Sequence, residues 1–310
     1  MSTTRTTSTT TTAIPITSET DPSYIPRGPV DADLTFFVPP ADGSAPFNYV
    51  GTPPPDQPQH NYGAATHKVH ITDIRGHEDA HTLDTSAFEA LKPPAVPASK
   101  TTYATFNDDA AIRDIYYPEV EALLLSHVPG AHRVVIFDHT VRRSSPGAAR
   151  VPVNRVHIDQ TPRAAEQRVR HHLPEAEAEK ALQGRYRIIN VWRPLAPDSD
   201  PERRVSSKPL AFAASPSVSD DELVGVEHRY PHRTGETAGV KFKLDENGEQ
   251  TQKWFYWSGM GRDERLLLKC SDSDTGVAGK RVPHTAFVDP RTPPGAPGRE
   301  SIEVRALVFG

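Results

Sequence analysis

The segment VNRVHIDQT, residues 153–161, decides how the rest of the chain is interpreted. Its alternating pattern predicts a β-strand, and residues two apart on a strand project from the same face. We therefore expect the imidazole of His157 and the carboxylate of Asp159 to lie side by side. The pair is either part of a metal site or two ordinary polar residues on the solvated face of a sheet, and the spacing alone leaves both open.

The composition limits the class of protein. The chain has 310 residues, of which 36% are hydrophobic, and its 31 prolines favour strands joined by long loops over a helical bundle. The net charge of −5 gives no reason to expect a nucleic-acid partner. No apolar run approaches the roughly 20 residues needed to span a membrane. A single cysteine, Cys270, excludes an intrachain disulfide and favours a reducing compartment, so we expect a cytoplasmic protein.

Two parts of the chain differ in composition. Residues 1–20 begin with a Thr/Ser-rich tract that predicts a disordered tail, with a transit peptide as the alternative. Residues 21–310 are predicted to form a single domain, mainly β with flanking helices. The strongest helical pattern covers residues 107–131, and Pro118 is expected to kink or split it. Strands are predicted at 66–76, 132–144, 150–161, 185–195, 208–215, 284–290 and 299–309, with a hairpin formed by 250–260 and 264–273.

An insertion is predicted at about 166–236, between the core strands. It contains a charged helix at 166–183 and a segment rich in Pro, Ser and acidic residues at 198–236. Long loops on a rigid scaffold often form the mouth of a pocket. We expect part of 198–236 to close over the pocket when substrate binds, and the alternative is a surface loop without a role.

The C-terminal region adds candidate site residues. VPHTAFVDP, residues 282–290, places His284 at the start of a predicted strand, and RESIEVRALVF, residues 299–309, places Arg299 and Ser301 on one strand face. A guanidinium beside a hydroxyl suits a carboxylate ligand. Two histidines and one carboxylate form the facial triad that binds Fe(II) and leaves positions open. The order HxD, His, RxS is much rarer than any one of its parts.

These motifs resemble those of the Fe(II)/2-oxoglutarate-dependent oxygenases, which share a double-stranded β-helix (jelly-roll) core. Over about residues 100–310, segments such as FDHTVRRS, VHIDQTPRAA and RYRIINVWRPL resemble the fungal hydroxylase/desaturase family that includes gibberellin desaturase. The bacterial cephamycin methoxylation proteins are also similar. The resemblance implies a natural-product enzyme that uses Fe(II), 2-oxoglutarate and O2 to hydroxylate or desaturate a small secondary-metabolite substrate.

The resemblance also assigns roles to residues of this chain. It implies three catalytic iron ligands, His157, Asp159 and His284. It implies that Arg299 and Ser301 hold the distal carboxylate of 2-oxoglutarate, and Arg291 is the second choice for that anchor. In these relatives a polar pair is expected where the chain has Ala213 and Ala214. The resemblance therefore does not define the pocket wall at these two positions.

Further candidates lie in NVWRP, residues 190–194. Asn190 is a candidate contact for cosubstrate or substrate. Arg193 faces the other way along the strand and is either a second carboxylate contact or a structural residue. Trp254 or Tyr256 is expected to line the pocket, whereas the adjacent Asp138 and His139 are expected to be structural.

Two other functions stay open from the sequence. One is a jelly-roll protein that binds a small molecule without catalysis, and the other is an iron enzyme that does not use 2-oxoglutarate. A homodimer is also considered.

Overall fold

A computed structural model describes residues 21–144 and 152–310, so the predicted tail at residues 1–20 lies outside the described residues. The strands are β1 Val30–Val38, β2 Phe47–Tyr49, β3 Gly63–Asp73, β4 Phe88–Leu91, β5 Arg133–Arg143, β6 His157–Ile158, β7 Tyr186–Pro194, β8 Leu210–Ala213, β9 Leu223–Arg229, β10 Thr234–Val240, β11 Trp254–Tyr256, β12 Arg265–Asp272, β13 His284–Ala286 and β14 Glu300–Phe309. The helices are α1 Leu83–Ser86, α2 Asp109–Ala111, α3 Tyr117–His127, α4 Pro162–His172 and α5 Glu175–Leu182.

The strands form two sheets. The larger sheet has nine strands in the order β1-β3-β11-β8-β13-β6-β10-β9-β2, and the smaller has five in the order β4-β12-β7-β14-β5. One apolar cluster joins side chains of both sheets, including Ile158 and Ala211 from the larger and Ile188 and Leu307 from the smaller. The sheets therefore face each other across a shared core, and the predicted jelly-roll architecture is confirmed.

The smaller sheet is buried on both faces. Ile189 and Val191 of β7 pack outward with α3 residues such as Val120 and Leu124, while Ile188 points into the core between the sheets. A strand covered on both faces needs apolar residues at successive positions rather than in alternation. This is why the segment RYRIINVWRPL lacks the alternating pattern of a half-exposed strand.

The helical regions agree with most of the sequence-based predictions. The pattern predicted at 107–131 is divided into α2, a π-helical turn at Ile112–Tyr116 and α3, with Pro118 in the first turn of α3. Proline is tolerated there because the first backbone amides of a helix have no intrahelical acceptor. The helix predicted at 166–183 is instead the pair α4 and α5, separated at Pro174. Among the residues described, no helix is both long and apolar enough to cross a bilayer.

One prediction about the strands is wrong. The segments 250–260 and 264–273 do not form a hairpin, because β11 pairs with β3 and β8 in the larger sheet while β12 pairs with β4 and β7 in the smaller. The residues between them carry the chain from one sheet to the other. The segment 198–236 contains the buried core strand β8, which lies within the strand predicted at 208–215, and it also contains β9.

A charged cluster lies at one end of the smaller sheet. The ammonium group of Lys269 in β12, whose side chain is fully buried, contacts carboxylate oxygens of Asp84 at 2.9 Å and Asp272 at 2.5 Å. Arg185 contacts the same two aspartates at 2.6 Å each. Burial raises the pKa of Asp84, but hydrogen bonds from Arg185 and Lys269 outweigh it and lower that pKa to about 2. The cluster fixes the start of β7 against the end of β12.

We expect Asp272→Asn to lower the free energy of unfolding by about 3 kcal/mol at neutral pH, because it leaves the buried Lys269 with only a half-exposed partner. Urea denaturation measures the change, and Asp200→Asn, at an exposed position, is the control. The folded-state pKa of Asp272 is lowered, so its contribution is present above about pH 4 and is lost as pH falls further. If the difference in the free energy of unfolding between wild type and Asp272→Asn stays the same below about pH 4, the contribution assigned to ionised Asp272 is contradicted.

Candidate active site

Three side chains meet where the two sheets open at one end. His157 in β6 is the direct cross-strand partner of His284 in β13, and their ring centroids are 4.5 Å apart. The Nε2 atom of His157 lies 3.2 Å from Oδ1 of Asp159. Ligand atoms of the three residues all lie within 4.8 Å of one another. Strand pairing therefore unites residues that are far apart in the sequence.

The neighbouring strand makes room for this pairing. Gly239 of β10 is the cross-strand partner of His157 on the other side of β6. A Cβ atom on Gly239 would come within 2.5 Å of the ring of Phe37, which packs over that position. A larger residue there would displace Phe37 or the strand that carries His157.

Backbone carbonyls orient both imidazole rings. Nδ1 of His157 lies 2.8 Å from the carbonyl oxygen of Arg155, and Nδ1 of His284 lies 3.2 Å from that of Val282. A carbonyl can only accept, so each Nδ1 carries the proton and each Nε2 has a free lone pair. Burial, together with the nearby His157, lowers the pKa of His284 and favours its neutral form. Both rings are thus prepared to bind a cation through Nε2.

Asp159 is held from the smaller sheet. Its Oδ2 accepts hydrogen bonds from Nδ2 of Asn190 at 2.8 Å and from Nε of Arg305 at 2.9 Å. Burial raises the pKa of Asp159, but the charge of Arg305 outweighs it and holds that pKa well below its usual range. The carboxylate is therefore ionised. Asn190 thus helps to orient the carboxylate of Asp159, and its role as a direct cosubstrate or substrate contact stays a prediction.

Arg305 is the site residue that the sequence-based reasoning missed. Besides Asp159, it donates to Oδ1 of Asp138 at 2.9 Å and to the Thr140 hydroxyl at 3.0 Å, and it forms an ion pair with Glu303. Burial lowers the pKa of Arg305, but the surrounding carboxylates outweigh burial and raise that pKa above its ordinary value. The guanidinium therefore stays charged. The signal was available, since the alternation that pairs Arg299 with Ser301 continues to positions 303 and 305.

An inner cavity extends from the three residues into the space between the sheets. Its lining includes both Arg299 and Ser301, together with Trp192 of β7. Nη1 of Arg299 donates to the Lys208 carbonyl at 2.7 Å, and its guanidinium lies over the Trp192 ring at 5.5 Å. Within the described part of the chain, the buried Nε of Arg299 has no hydrogen-bond partner. Burial and the nearby Arg142 lower the pKa of Arg299 to about 9, so it is still charged at neutral pH.

An outer cavity of about 540 Å³ opens to solvent on the other side of His157 and Asp159. Helix α4 and the hairpin of β9 and β10 form much of its wall, through residues such as Arg168, His228 and Tyr230. The volume is in the range of pockets that hold drug-sized ligands. Parts of the predicted 166–236 insertion therefore line this cavity, although the closure of 198–236 over it stays a prediction.

The other candidate arginines are held elsewhere. Arg193 pairs across strands with Ile302 and shares its outward face, where it donates to the Arg262 carbonyl at 2.9 Å and to the Thr101 hydroxyl at 2.8 Å. Its side chain does not reach either cavity, because the strand pleat turns it away from Asn190. Arg291 forms an ion pair with Asp289 at 2.8 Å and hydrogen bonds to backbone carbonyls near Gly28.

Several secondary expectations are also resolved by packing. Trp254 and Tyr256 are buried in the core between the sheets and do not line either cavity. Ala213 and Ala214 are likewise absent from the cavity walls. Asp138 accepts from Arg305, and Nδ1 of His139 lies 2.8 Å from the Tyr117 hydroxyl, so the two do not form a metal pair.

The donor set suits a divalent transition metal. Two imidazole Nε2 atoms and one ionised carboxylate on adjacent backbone segments match the facial arrangement found in non-haem Fe(II) oxygenases. Both histidines and the aspartate also have the outer hydrogen bonds that metal ligands require. The residues present therefore fit an iron ion.

Comparison with known proteins agrees with this chemistry. A family model described as "Oxidoreductase/YMDC permease-like domain" matches residues 34–309. The hydroxylase/desaturase poxK of Penicillium oxalicum is 34% identical over 92% of each chain, and the Fe(II)/2-oxoglutarate-dependent dioxygenase nvfI of Aspergillus novofumigatus is 35% identical over 90% of this chain and 96% of its own. The solved structure of the iron and alpha-ketoglutarate-dependent endoperoxidase NvfI covers 92% of this chain and 99% of its own, with a TM-score of 0.79 and 32% identity.

The similarity to gibberellin desaturase and the cephamycin methoxylation proteins stays a prediction. The relatives named above nevertheless share sequence over nearly the full length of both partners. The chain belongs to the family of fungal hydroxylases/desaturases and Fe(II)/2-oxoglutarate-dependent dioxygenases, and it is an oxidoreductase that uses Fe(II) and 2-oxoglutarate.

Proposed function

We propose that this enzyme hydroxylates or desaturates a secondary metabolite, with distinct parts of the site assigned to metal, cosubstrate and substrate. Iron binds to His157, Asp159 and His284, and 2-oxoglutarate extends from the iron toward Arg299 and Ser301. The organic substrate enters through the outer cavity. The observation that carries the proposal is that the inner and outer cavities meet at His157 and Asp159, with His284 on the inner side of the same three-residue cluster.

Bound Fe(II) and 2-oxoglutarate would supply the means to activate O2 and to remove hydrogen from an unactivated carbon of the substrate. The protein's own residues supply geometry and charge. Arg305 and Asn190 hold the Asp159 carboxylate ionised and fix its orientation toward His157. The carbonyls of Arg155 and Val282 accept from Nδ1–H, so the lone pair of each neutral ring is on Nε2, the atom that faces the metal position.

The buried Nε of Arg299, which has no hydrogen-bond partner among the described residues, supports the role of this guanidinium as the carboxylate anchor. A buried arginine without a carboxylate partner is unfavourable, and a bound diacid would supply that partner together with a hydrogen bond from Ser301. The inner cavity is narrow, about 20 Å³. Admission of 2-oxoglutarate therefore requires its lining side chains to move apart, and the contact between Arg299 and the Lys208 carbonyl is one that the ligand would replace.

The same residues serve hydroxylation and desaturation. Which product forms depends on how the substrate is placed relative to the metal, on a scale of about 1 Å. Because O2 activation takes place where the two cavities meet, residues of the outer cavity determine which carbon is exposed to oxidation.

We also propose that the enzyme acts in the cytoplasm as a monomer or homodimer on a small molecule, without nucleic acid. The lone Cys270 is buried, and burial raises its pKa well above the usual range, which suits an unreactive thiol in a reducing compartment. Cell fractionation and gel filtration test the location and the assembly state.

We expect Asp159→Asn to lower Fe(II) affinity by about 100-fold or more, because the loss of a metal ligand should exceed the 10- to 100-fold effect of outer hydrogen-bond partners. Metal analysis after equilibrium dialysis and succinate formation measure the effect. Asp138→Asn is the matched control, since Asp138 is the other aspartate that contacts Arg305 at 2.9 Å. Equal loss of iron in both variants would show that Arg305 pairing, rather than ligation by Asp159, explains the result.

We expect Arg299→Gln to raise the apparent KM for 2-oxoglutarate by about 10- to 150-fold, the cost of one charge-assisted bidentate contact. Initial rates of succinate formation at varied 2-oxoglutarate measure it. Arg291→Gln is the control, because its guanidinium is held by Asp289 away from the cavity. A raised KM in Arg291→Gln together with an unchanged KM in Arg299→Gln would reverse the choice of arginine.

A further inference from the structure

The outer cavity carries more positive charge than its own residues neutralise. Three carboxylates line it, and each already has a partner in the wall. Asp138 and Asp159 are bonded to Arg305, while Glu236 accepts from the Thr161 hydroxyl and forms an ion pair with Arg163 at 3.6 Å. A second group of arginines lines the same cavity, Arg155, Arg168 and Arg233. Within residues 21–144 and 152–310, none of these three forms an ion pair with a carboxylate.

Aromatic rings hold these arginines in place. The Arg155 guanidinium lies 4.7 Å from the centre of the Tyr62 ring, and that of Arg233 lies 4.1 Å from the Tyr230 ring. Arg168 lies 5.0 Å from the Phe137 ring. A guanidinium that lies over an aromatic ring interacts with it through its charge and still has N–H groups that can donate to a ligand.

Arg168 and Arg233 come from different elements and repel each other. Arg168 is on α4 and partly buried, and Arg233 is in the turn that joins β9 to β10. Burial lowers the pKa of Arg168, and the charge of Arg233 lowers it further. An anion bound between the partly buried Arg168 and the exposed Arg233 would reduce this repulsion and would add to the weak compensation that Asp138 gives Arg168.

We propose that the substrate of this enzyme is an organic acid whose carboxylate binds between Arg168 and Arg233, with its oxidised carbon directed toward His157 and Asp159. Arg155, on the segment that leads into β6, adds positive charge on the path between these two ends. The inference rests on the proposed function, because it takes the outer cavity to be the substrate site. It adds the chemical class of the substrate and two residues that select it.

A matched pair of probes tests the inference without knowledge of the natural substrate. The enzyme is loaded anaerobically with Fe(II) and saturating 2-oxoglutarate, so that the inner cavity is filled. Binding of 2-naphthoate and of the uncharged 2-naphthamide is then measured by titration calorimetry. We expect the acid to bind about tenfold more tightly than the amide, as for one charge-assisted hydrogen bond.

Variants locate the binding of the acid. Arg168→Gln and Arg233→Gln should each weaken naphthoate binding by about tenfold and leave naphthamide binding unchanged. Arg170→Gln, two residues along α4 and paired with Glu166 and Glu179, should retain the preference for the acid. Arg233 is exposed, so its replacement keeps the test valid even if Arg168→Gln fails to fold.

The outcomes separate this inference from the proposed function. Equal binding of acid and amide to the loaded wild-type enzyme, or a preference for the acid that survives both variants, would overturn the inference and leave the iron site standing. Failure of the wild-type enzyme to retain Fe(II), measured on the same samples, would instead overturn the proposed site. Loss of the preference for the acid in both variants, but not in Arg170→Gln, supports the inference.

Discussion

The ion pair between Asp159 and Arg305 is the contact on which the active site depends. Asp159 follows β6 in the larger sheet, and Arg305 lies on β14 in the smaller sheet, so their 2.9 Å contact joins the two sheets where the cavities meet. Both groups are almost fully withdrawn from solvent, and removing either would leave an uncompensated buried charge. The pair fixes the distance between the sheets and, with it, the position of the carboxylate beside His157.

The polar groups around this pair form two layers with different tasks. The layer facing the metal position consists of imidazole nitrogens and one carboxylate oxygen, all free of competing protein donors. The layer behind it consists of groups that can only donate to that carboxylate or accept from those rings, such as Asn190 and the Arg155 carbonyl. Such a division keeps the ligands ionised or neutral as the metal requires and limits their rotation.

The distribution of arginines separates the two ends of the reaction space. Arg299 lies at the closed inner end, where burial is complete and a diacid is expected, whereas Arg168 and Arg233 lie at the wall of the open outer end. Arg193 is also buried but serves packing, since aromatic rings and backbone carbonyls surround it. Among the described residues, the buried Nε of Arg299 has no hydrogen-bond partner, whereas the Nε of Arg193 donates to a backbone carbonyl.

Local sequence patterns were enough to predict the fold class and most of the candidate site residues. The i, i+2 spacing predicted that His157 and Asp159, and Arg299 and Ser301, would face one cavity, although Asp159 and Arg299 lie just outside β6 and β14. The jelly-roll class followed from the family resemblance that the motifs carry. The sequence could not determine which strands pair, because pairing depends on contacts between distant segments. The predicted hairpin failed for that reason, since β11 and β12 join different sheets. The role of Arg305 and the free charges of the outer cavity also emerged only when tertiary structure brought together groups from β14, β6, α4 and the β9–β10 turn.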